Sequence, residues 1–347
     1  MAYTNIDDPS AYFQTLLYTG DSSSPRDLVN DGNSDLQPDW VWIKGRSHAD
    51  LHLLYDSSRG AGKFIRSEST AAENTGGYGL TAFNSDGFRT NAYAYSNENT
   101  HTYAAWQWKA NGGTTATNSD GSTDTTVQAN TDAGFSIVTF TTDGGNETYG
   151  HGLGVKPDIV IVKSRSGGGS WIYMTDVIDG SVDYLLLNTT AAAADLSYGA
   201  FTSSTFQYND NNAVTQIAYC FASKQGYSKF GSYAAKYANN GPFVYTGFKP
   251  AWVMIKNTAH ATNWIIIDAK RNPSNVANLK LGANINAADN GSDLGNTSQN
   301  NIDILSNGFK LRTGNTDTNY NNGDKLIYMA FAEHPFVTST GIPTTAR

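Results

Sequence analysis

Three stretches of the chain share one pattern, in which a proline leads a short apolar run that closes on a lysine. They are Gln37-Pro38-Asp39-Trp40-Val41-Trp42-Ile43-Lys44, Lys156-Pro157-Asp158-Ile159-Val160-Ile161-Val162-Lys163 and Lys249-Pro250-Ala251-Trp252-Val253-Met254-Ile255-Lys256. Trp40 and Trp42 share one face, as do Ile159 and Ile161 in the second copy and Trp252 and Met254 in the third. Val41 and Ile43, with their counterparts, share the other. A strand that is apolar on both faces is covered on both, either central in a sandwich or wedged between neighbouring units. Proline can begin such a strand but not sit inside it, so its recurrence marks where pairing starts.

A wider phrase repeats around each copy. A strand opens the unit at Ala11 to Gly20, Gly134 to Phe140 and Lys229 to Tyr233, and a second apolar run follows the lysine and ends in Asp56, Asp176 or Asp268. Lysine and aspartate stand 12, 13 and 12 positions apart. A hairpin brings such residues near one another, as a Lys44–Asp56 pair and its equivalents. The plainer reading is two rim charges at strand ends, where an exposed pair contributes about 0–1 kcal/mol. Next come Ser69-Thr70-Ala71-Ala72, Asn188-Thr189-Thr190-Ala191 and Asn284-Ile285-Asn286-Ala287, whose polar residues ahead of alanines suit the cap of one helical turn. Asp86-Gly87 and Asn307-Gly308 mark tight hairpin turns, and the second unit has Ser204-Thr205 there instead. Each unit closes on an aromatic strand, Tyr103 to Trp108, Ile217 to Phe221 and Tyr328 to Ala332, whose large side suits the filling of a sandwich core. Trp40, Trp42, Trp106, Trp108 and Trp252 are assigned to that core rather than to an exposed platform.

Self-similarity on this scale identifies an array. The expected fold is all-β, with three tandem antiparallel β-sandwich (jelly-roll-like) repeats at 1–110, 131–226 and 227–336. A Gly/Thr/Ser/Asn/Asp tract at 111–130 reads as a polar linker, and 337–347 as a C-terminal tail, loose or docked as a strap. The linker predicts looser stacking of the first and second units than of the second and third.

Composition narrows the function classes. The net charge of −8 is thinly spread and supplies no basic stripe for nucleic acid. No apolar run approaches the ~20 residues needed to span a bilayer, and the polar N-terminus lacks a secretory pattern. The single cysteine, Cys220, lies in an apolar run and reads as a buried, inert thiol. Gly60-Ala61-Gly62-Lys63-Phe64 lacks the residues of a phosphate loop, His48 and His52 lack the glutamate of a zinc protease, and Asp317 to Asp324 lacks the bidentate glutamate of a calcium loop. No catalytic residue, metal site or cofactor is assigned.

Taken together, Tyr18-Thr19-Gly20, the Pro-led phrases, Asp56-Ser57-Ser58-Arg59-Gly60, Asn84-Ser85-Asp86-Gly87-Phe88, Tyr103-Ala104-Ala105-Trp106, Gly226-Tyr227-Ser228-Lys229-Phe230-Gly231-Ser232-Tyr233 and Tyr328-Met329-Ala330-Phe331-Ala332-Glu333 resemble a tandem-repeat virion protein family of marine tailed bacteriophages. The resemblance runs from about Tyr12 to Phe336. It implies a non-enzymatic virion structural protein, assembled in the host bacterial cytoplasm and contacting other virion proteins. A tail fibre or appendage used in host-surface attachment is the first expectation, a capsid head-decoration protein the alternative, and a polysaccharide depolymerase on a β-scaffold a third. By analogy the protein is a homo-oligomer, with a trimer first. A host surface glycan is the expected ligand, met by the loop aromatics Tyr78, Tyr93, Tyr95 and Tyr320.

Overall fold

The computed structural model describes residues 2–210, 212–294, 298–314 and 316–344. In it each Pro-led strand lies inside an antiparallel sheet, as its two apolar faces require. The first sheet runs Phe13–Thr19, Thr102–Trp108, Trp40–Gly45, His52–Asp56 in spatial order. The second repeats that order with Phe135–Thr141, Thr215–Phe221, Ile159–Ser164 and Ile172–Thr175, and the third with Ser228–Ala234, Lys325–Pro335, Phe248–Asn257 and Ile265–Asp268. A smaller antiparallel sheet lies over each: Arg26–Leu28, Phe88–Thr90 and Leu80–Phe83 in the first unit, Asn146–Gly150 and Thr205–Asn209 in the second, Phe243–Tyr245, Gly308–Leu311 and Ile302–Leu305 in the third. The fold is therefore all-β and built of sandwiches. The hairpin turn at Gly87 needs glycine, because φ is 88° there and a Cβ would meet the Leu28 carbonyl oxygen at 2.0 Å.

The two faces of the Pro-led strands have different partners. Val41 and Ile43 pack with Leu80 and Phe88 inside the first sandwich, and Val160 with Val162 and Val253 with Ile255 do the same in theirs. The other faces meet in one central core holding Trp40, Trp42, Trp106 and Trp108, Ile159, Ile161, Tyr219 and Phe221, and Trp252, Met254, Met329 and Phe331. Ring contacts cross every pair of units: Trp40 on Tyr219 at 4.5 Å, Trp108 on Trp252 at 5.8 Å and Phe221 on Phe331 at 5.9 Å between centroids. The five tryptophans are core residues, each at most 2 % exposed. The aromatic side of each closing strand fills this shared core and not, as its pattern suggested, the interior of its own sandwich.

Residues 111–130 are not a linker. Ala116–Asn118 and Thr125–Asn130 add to the second unit's sheet, making it eight-stranded, and the preceding turn is pinned to the first unit. Asp39, fully buried, accepts the backbone N–H groups of Ala110, Gly112 and Gly113 at 2.7, 2.9 and 2.8 Å and the Ser57 hydroxyl at 2.7 Å. Gly112 and Gly113, at φ 62° and 80°, let the main chain wrap this carboxylate. Gln128 of the added strand donates to the hydroxyls of Ser57 and Ser58 at 2.9 Å. At the next connection Asp158 accepts from Ser223 N at 2.7 Å. The third copy has Ala251 at this position, and the chain beyond its closing residues continues the sheet there, His334 facing Lys249 and Pro335 facing Phe248. Of the tail, residues 337–344 dock as a strap, Ser339 donating its N–H and hydroxyl to Asp7 at 2.6 and 2.5 Å; residues 345–347 lie outside the described residues.

Candidate functional site: a ring of buried lysines and two tyrosine patches

Lys44, Lys163 and Lys256 close the Pro-led strands and are fully buried, so they are not rim charges. Nor do they meet the aspartates. Antiparallel pairing sets Lys44 opposite His52 and Trp40 opposite Asp56, which places lysine and aspartate at opposite ends of the hairpin. Each ammonium instead donates to a backbone carbonyl of the adjoining unit: Lys163 to Thr70 at 3.4 Å, Lys256 to Thr190 at 3.1 Å and Lys44 to Asn286 at 3.1 Å. The residue facing each lysine across the hairpin adds a ring N–H. Trp171 donates to Arg66 O at 2.8 Å, Trp264 to Leu186 O at 3.2 Å, and His52 Nε2 to Gly282 O and Ile285 O at 2.9 Å. A main-chain bond completes each junction, Glu73 N to Arg165 O at 2.9 Å, Ala193 N to Thr258 O at 2.8 Å and Asp289 N to Arg46 O at 2.8 Å.

The acceptor segments are those whose small residues suggested a helical turn. They form none, because their carbonyls point outward to the neighbour's lysine and ring donor instead of along a helix axis. The contacts are head-to-tail, second unit onto first, third onto second and first onto third, so the heterologous set closes into a ring within one chain. Burial in apolar surroundings lowers all three lysines from their ordinary value to about 8.

Two junctions carry a further polar network. At the first, Arg59 bonds Asp56 at 2.5 Å and Glu73 at 3.0 Å, and Glu73 also meets Arg165 of the second unit at 3.1 Å. Where the third unit meets the first, Arg271 bonds Asp268 and Asp289 at 2.6 Å, Asp289 meets Arg46 at 3.0 Å, and Trp106 Nε1 donates to Asp268 at 3.1 Å. Among the described residues the junction between second and third units has none of these. The residue opposite Ile159 is Thr175 and not Asp176, which is turned to Lys156, while Ile178 and Ala193 pack on the central core and Met329 stands where Tyr219 and Trp106 donate. The expectation of a looser first junction fails, since that junction has both the pinned connector and the ion network.

The loop tyrosines divide. Tyr78, Tyr93 and Tyr95 come together on the first unit: Tyr78 stacks on Tyr93 at 5.0 Å, and Tyr95 meets Tyr93 edge-on at 5.4 Å. Tyr78 is 48 % exposed. Tyr55 Oη donates to Tyr78 O at 3.0 Å, and Asn91 clamps the same loop through Gly79 N and Gly77 O at 2.9 and 3.0 Å. Phe64 backs Tyr93 at 6.1 Å. Tyr320 lies on the third unit, with Tyr237 at 6.4 Å and His260 at 5.1 Å, beside a polar cleft of about 580 Å³ that Asp317, Asn263 and Thr262 also line. Neither Tyr237 nor His260 is part of a repeated phrase, so nothing in the pattern singled them out. Among the described residues no group of His, Cys, Asp and Glu is arranged to hold a metal ion. His48 stacks on His101 at 3.5 Å, and His52 is taken up by the ring.

No curated protein and no solved structure matches the chain. One family model spans all three units, matching residues 8–335. The chain belongs to that family, a domain of unknown function designated DUF7483.

Proposed function

We propose that this protein is a non-enzymatic structural component of a bacteriophage particle, an appendage that attaches to glycans of the host surface through Tyr78, Tyr93 and Tyr95. The repeated phrases and their resemblance supply the particle. The observation that carries attachment is the convergence of three loop tyrosines into one partly exposed patch. Among the described residues the hydroxyls of these three rings have no side-chain or backbone partner, so they are free to bond sugar hydroxyls while a ring face packs on the apolar side of a pyranose. The ring of junctions beneath holds the patch on a body with little freedom to reorganise, which lowers the ordering cost of binding.

Titration of purified host-envelope polysaccharides into the labelled protein tests attachment. Line broadening confined to the Tyr78, Tyr93 and Tyr95 rings and lost in Tyr78→Ala supports the reading, and an unchanged spectrum with every polysaccharide overturns it. Gold labelling of intact particles separates appendage from head decoration, and sedimentation of the purified chain reads whether it forms the expected homo-oligomer.

A further inference from the structure

The opening strand of each sheet lies at the sheet's edge or next to a strand that covers it, and the three units treat that edge differently. In the first unit Lys109 N donates to Tyr12 O and Gly20 N to His101 O. With the register Phe13 to Trp108, these bonds assign Gln14, Leu16 and Tyr18 to the ladder with the closing strand. The N–H and C=O groups of Phe13, Thr15 and Leu17 therefore point the other way. In the second unit the same alternation leaves Phe135, Ile137 and Thr139, and these pair with Asn130, Gln128 and Thr126 of the connector. In the third, Ser228 exchanges bonds with Lys224 and Phe230 N donates to Ser223 Oγ. Among the described residues nothing pairs with the outward groups of Phe13, Thr15 and Leu17.

That unpaired edge opens into a cleft of about 340 Å³ between the first and third units. Phe13, Gln14 and Thr15 form one wall, and Ala251, Ala269 and Pro273 form the other. Thr15 Oγ1 is buried without a hydrogen-bond partner. Among the described residues two ion pairs border the cleft, Lys249 to Glu333 at 2.7 Å and Lys270 to Asp31 at 2.7 Å, the latter with side chains 42 % and 55 % exposed and opening at a cost of about 0–1 kcal/mol. Ala251 occupies the place where Asp39 and Asp158 fasten a connector in the other copies. The cleft thus corresponds in place to the connector site of the ring's third junction; Ala332 and Glu333 at the end of the third closing strand line it, but among the described residues no strand pairs with the outward groups of Phe13, Thr15 and Leu17.

We infer that this edge is a strand-addition site for an extended peptide segment of a partner protein, running antiparallel to Phe13, Thr15 and Leu17. The chain's own Thr125–Asn130 strand is the template for the occupant. Main-chain bonds supply the affinity and alternate side chains the choice of partner. By the template's register the residue opposite Leu16 is apolar, as Val127 is opposite Val138, and the residue opposite Thr15 is a polar amide, as Gln128 is opposite Ile137. There its side chain reaches the unpartnered Thr15 hydroxyl.

The test uses the full chain, isotopically labelled, and a synthetic peptide with the sequence of residues 123–131. Saturating peptide is expected to slow amide exchange at Phe13, Thr15 and Leu17 at least tenfold and leave Gln14 and Leu16 unchanged. Thr15→Pro removes an outward N–H, which an edge strand tolerates, together with the Thr15 hydroxyl, and is expected to weaken binding at least tenfold. If that variant does not fold, a peptide N-methylated at the position of Gln128 probes the companion bond of the same pair, from the peptide N–H to the Thr15 carbonyl, on the unaltered protein. Absence of protection, or equal binding of the methylated peptide, overturns the proposal. So does concentration-dependent self-association that protects these amides without peptide, which assigns the edge to a second copy.

Discussion

Tyr219 of the second unit donates its hydroxyl to Asp56 of the first at 2.7 Å, and Asp56 in turn holds the fully buried Arg59. A buried pair of this kind stabilises little relative to well-packed apolar residues, yet removing one partner strands the other charge. The ring contains its own comparison, because the junction of second and third units has Thr175, Ile178, Ala193 and Met329 in that region. Asp56→Ala is expected to destabilise by about 3–5 kcal/mol in urea unfolding. Transplanting the apolar solution, Asp56→Thr with Arg59→Ile, Glu73→Ala and Tyr219→Met, is expected to cost less than that single change. A larger loss in the fourfold variant would mean that the network itself holds the units together.

His52 is fixed as a neutral ring. Trp42 Nε1 donates to its Nδ1 at 2.8 Å, so Nε2 carries the proton shared between Gly282 O and Ile285 O. Burial, with Lys44 nearby, lowers it from 6.5 to about 3. Because the folded value lies below the unfolded one, the unfolded chain takes up a proton first, and stability present above pH 6.5 is lost as pH falls toward 3. The difference in urea stability between the native chain and His52→Phe is therefore expected to shrink as pH falls through that window. A pH-independent difference would contradict a buried ring held neutral.

The lysine ring titrates at the opposite end of the scale. Lys44, Lys163 and Lys256 are lowered from 10.5 to about 8, so burial penalises their charged forms in the folded state. Below pH 8 that penalty is fully present, and it is relieved as pH rises toward 10.5, by up to about 3 kcal/mol per lysine. The thermal midpoint is expected to rise between pH 8 and 9, below the value of about 10 near which tyrosines of the unfolded chain ionise. Burial lowers Lys280 to about 8 as well, so Lys163→Met, which keeps the length of the stem, should flatten that rise by roughly a quarter, as followed by circular dichroism.

Repetition made much of this fold legible. Proline ahead of the first two strands and two apolar faces in all three located the central strands, although Pro250 sits at a bulge inside Phe248–Asn257 with pairing begun at Phe248, and the substitution of Ile159, Ile161 and Met254 for tryptophan identified core. What recurrence could not convey was direction. Lys44 is the last residue of an apolar run, and a charge at a strand end reads as solvent-facing unless its acceptor is known. That acceptor, Asn286 O, is 242 residues away. The alanine-rich segments look like helix caps for the same reason, since their carbonyls are satisfied by another unit. Residues 111–130 read as a linker because glycine and threonine dominate, although Val127 and Ala129 face the second sandwich's core and Gln128 faces the junction. Of the four loop tyrosines, Tyr78, Tyr93 and Tyr95 lie within 18 positions and meet, whereas Tyr320 belongs to a different unit.

The connector's anchorage can be read by proteolysis. Asp39→Ala leaves the N–H groups of Ala110 and Gly112 without their acceptor inside a closed turn, while Gly113 keeps its bond to Gln128 Oε1 at 2.8 Å, at a cost of about 2–4 kcal/mol. Cleavage between residues 110 and 116 is expected to accelerate by at least tenfold, while cleavage in the tail past residue 336 stays at the native rate.

Two glycines of the Tyr78 loop separate positioning of the aromatic patch from general loop stability. Gly77 and Gly79 both adopt positive φ, 74° and 76°. A Cβ at Gly77 meets nothing within 4 Å, whereas at Gly79 it would fall 2.0 Å from the Tyr55 hydroxyl that holds the Tyr78 carbonyl. Gly77→Ala pays only for its left-handed backbone, about 1–2 kcal/mol. Gly79→Ala must also displace Tyr55 or the loop, which breaks the bond to Tyr78 and parts its ring from Tyr93. Contact between the Tyr78 and Tyr93 rings, read by nuclear Overhauser effects, is expected to survive in Gly77→Ala and vanish in Gly79→Ala. If the patch binds host glycan, affinity follows the ring contact and not the melting temperature. Equal affinity in the two variants would move recognition to another surface, with the Tyr320 and Tyr237 patch the next to test.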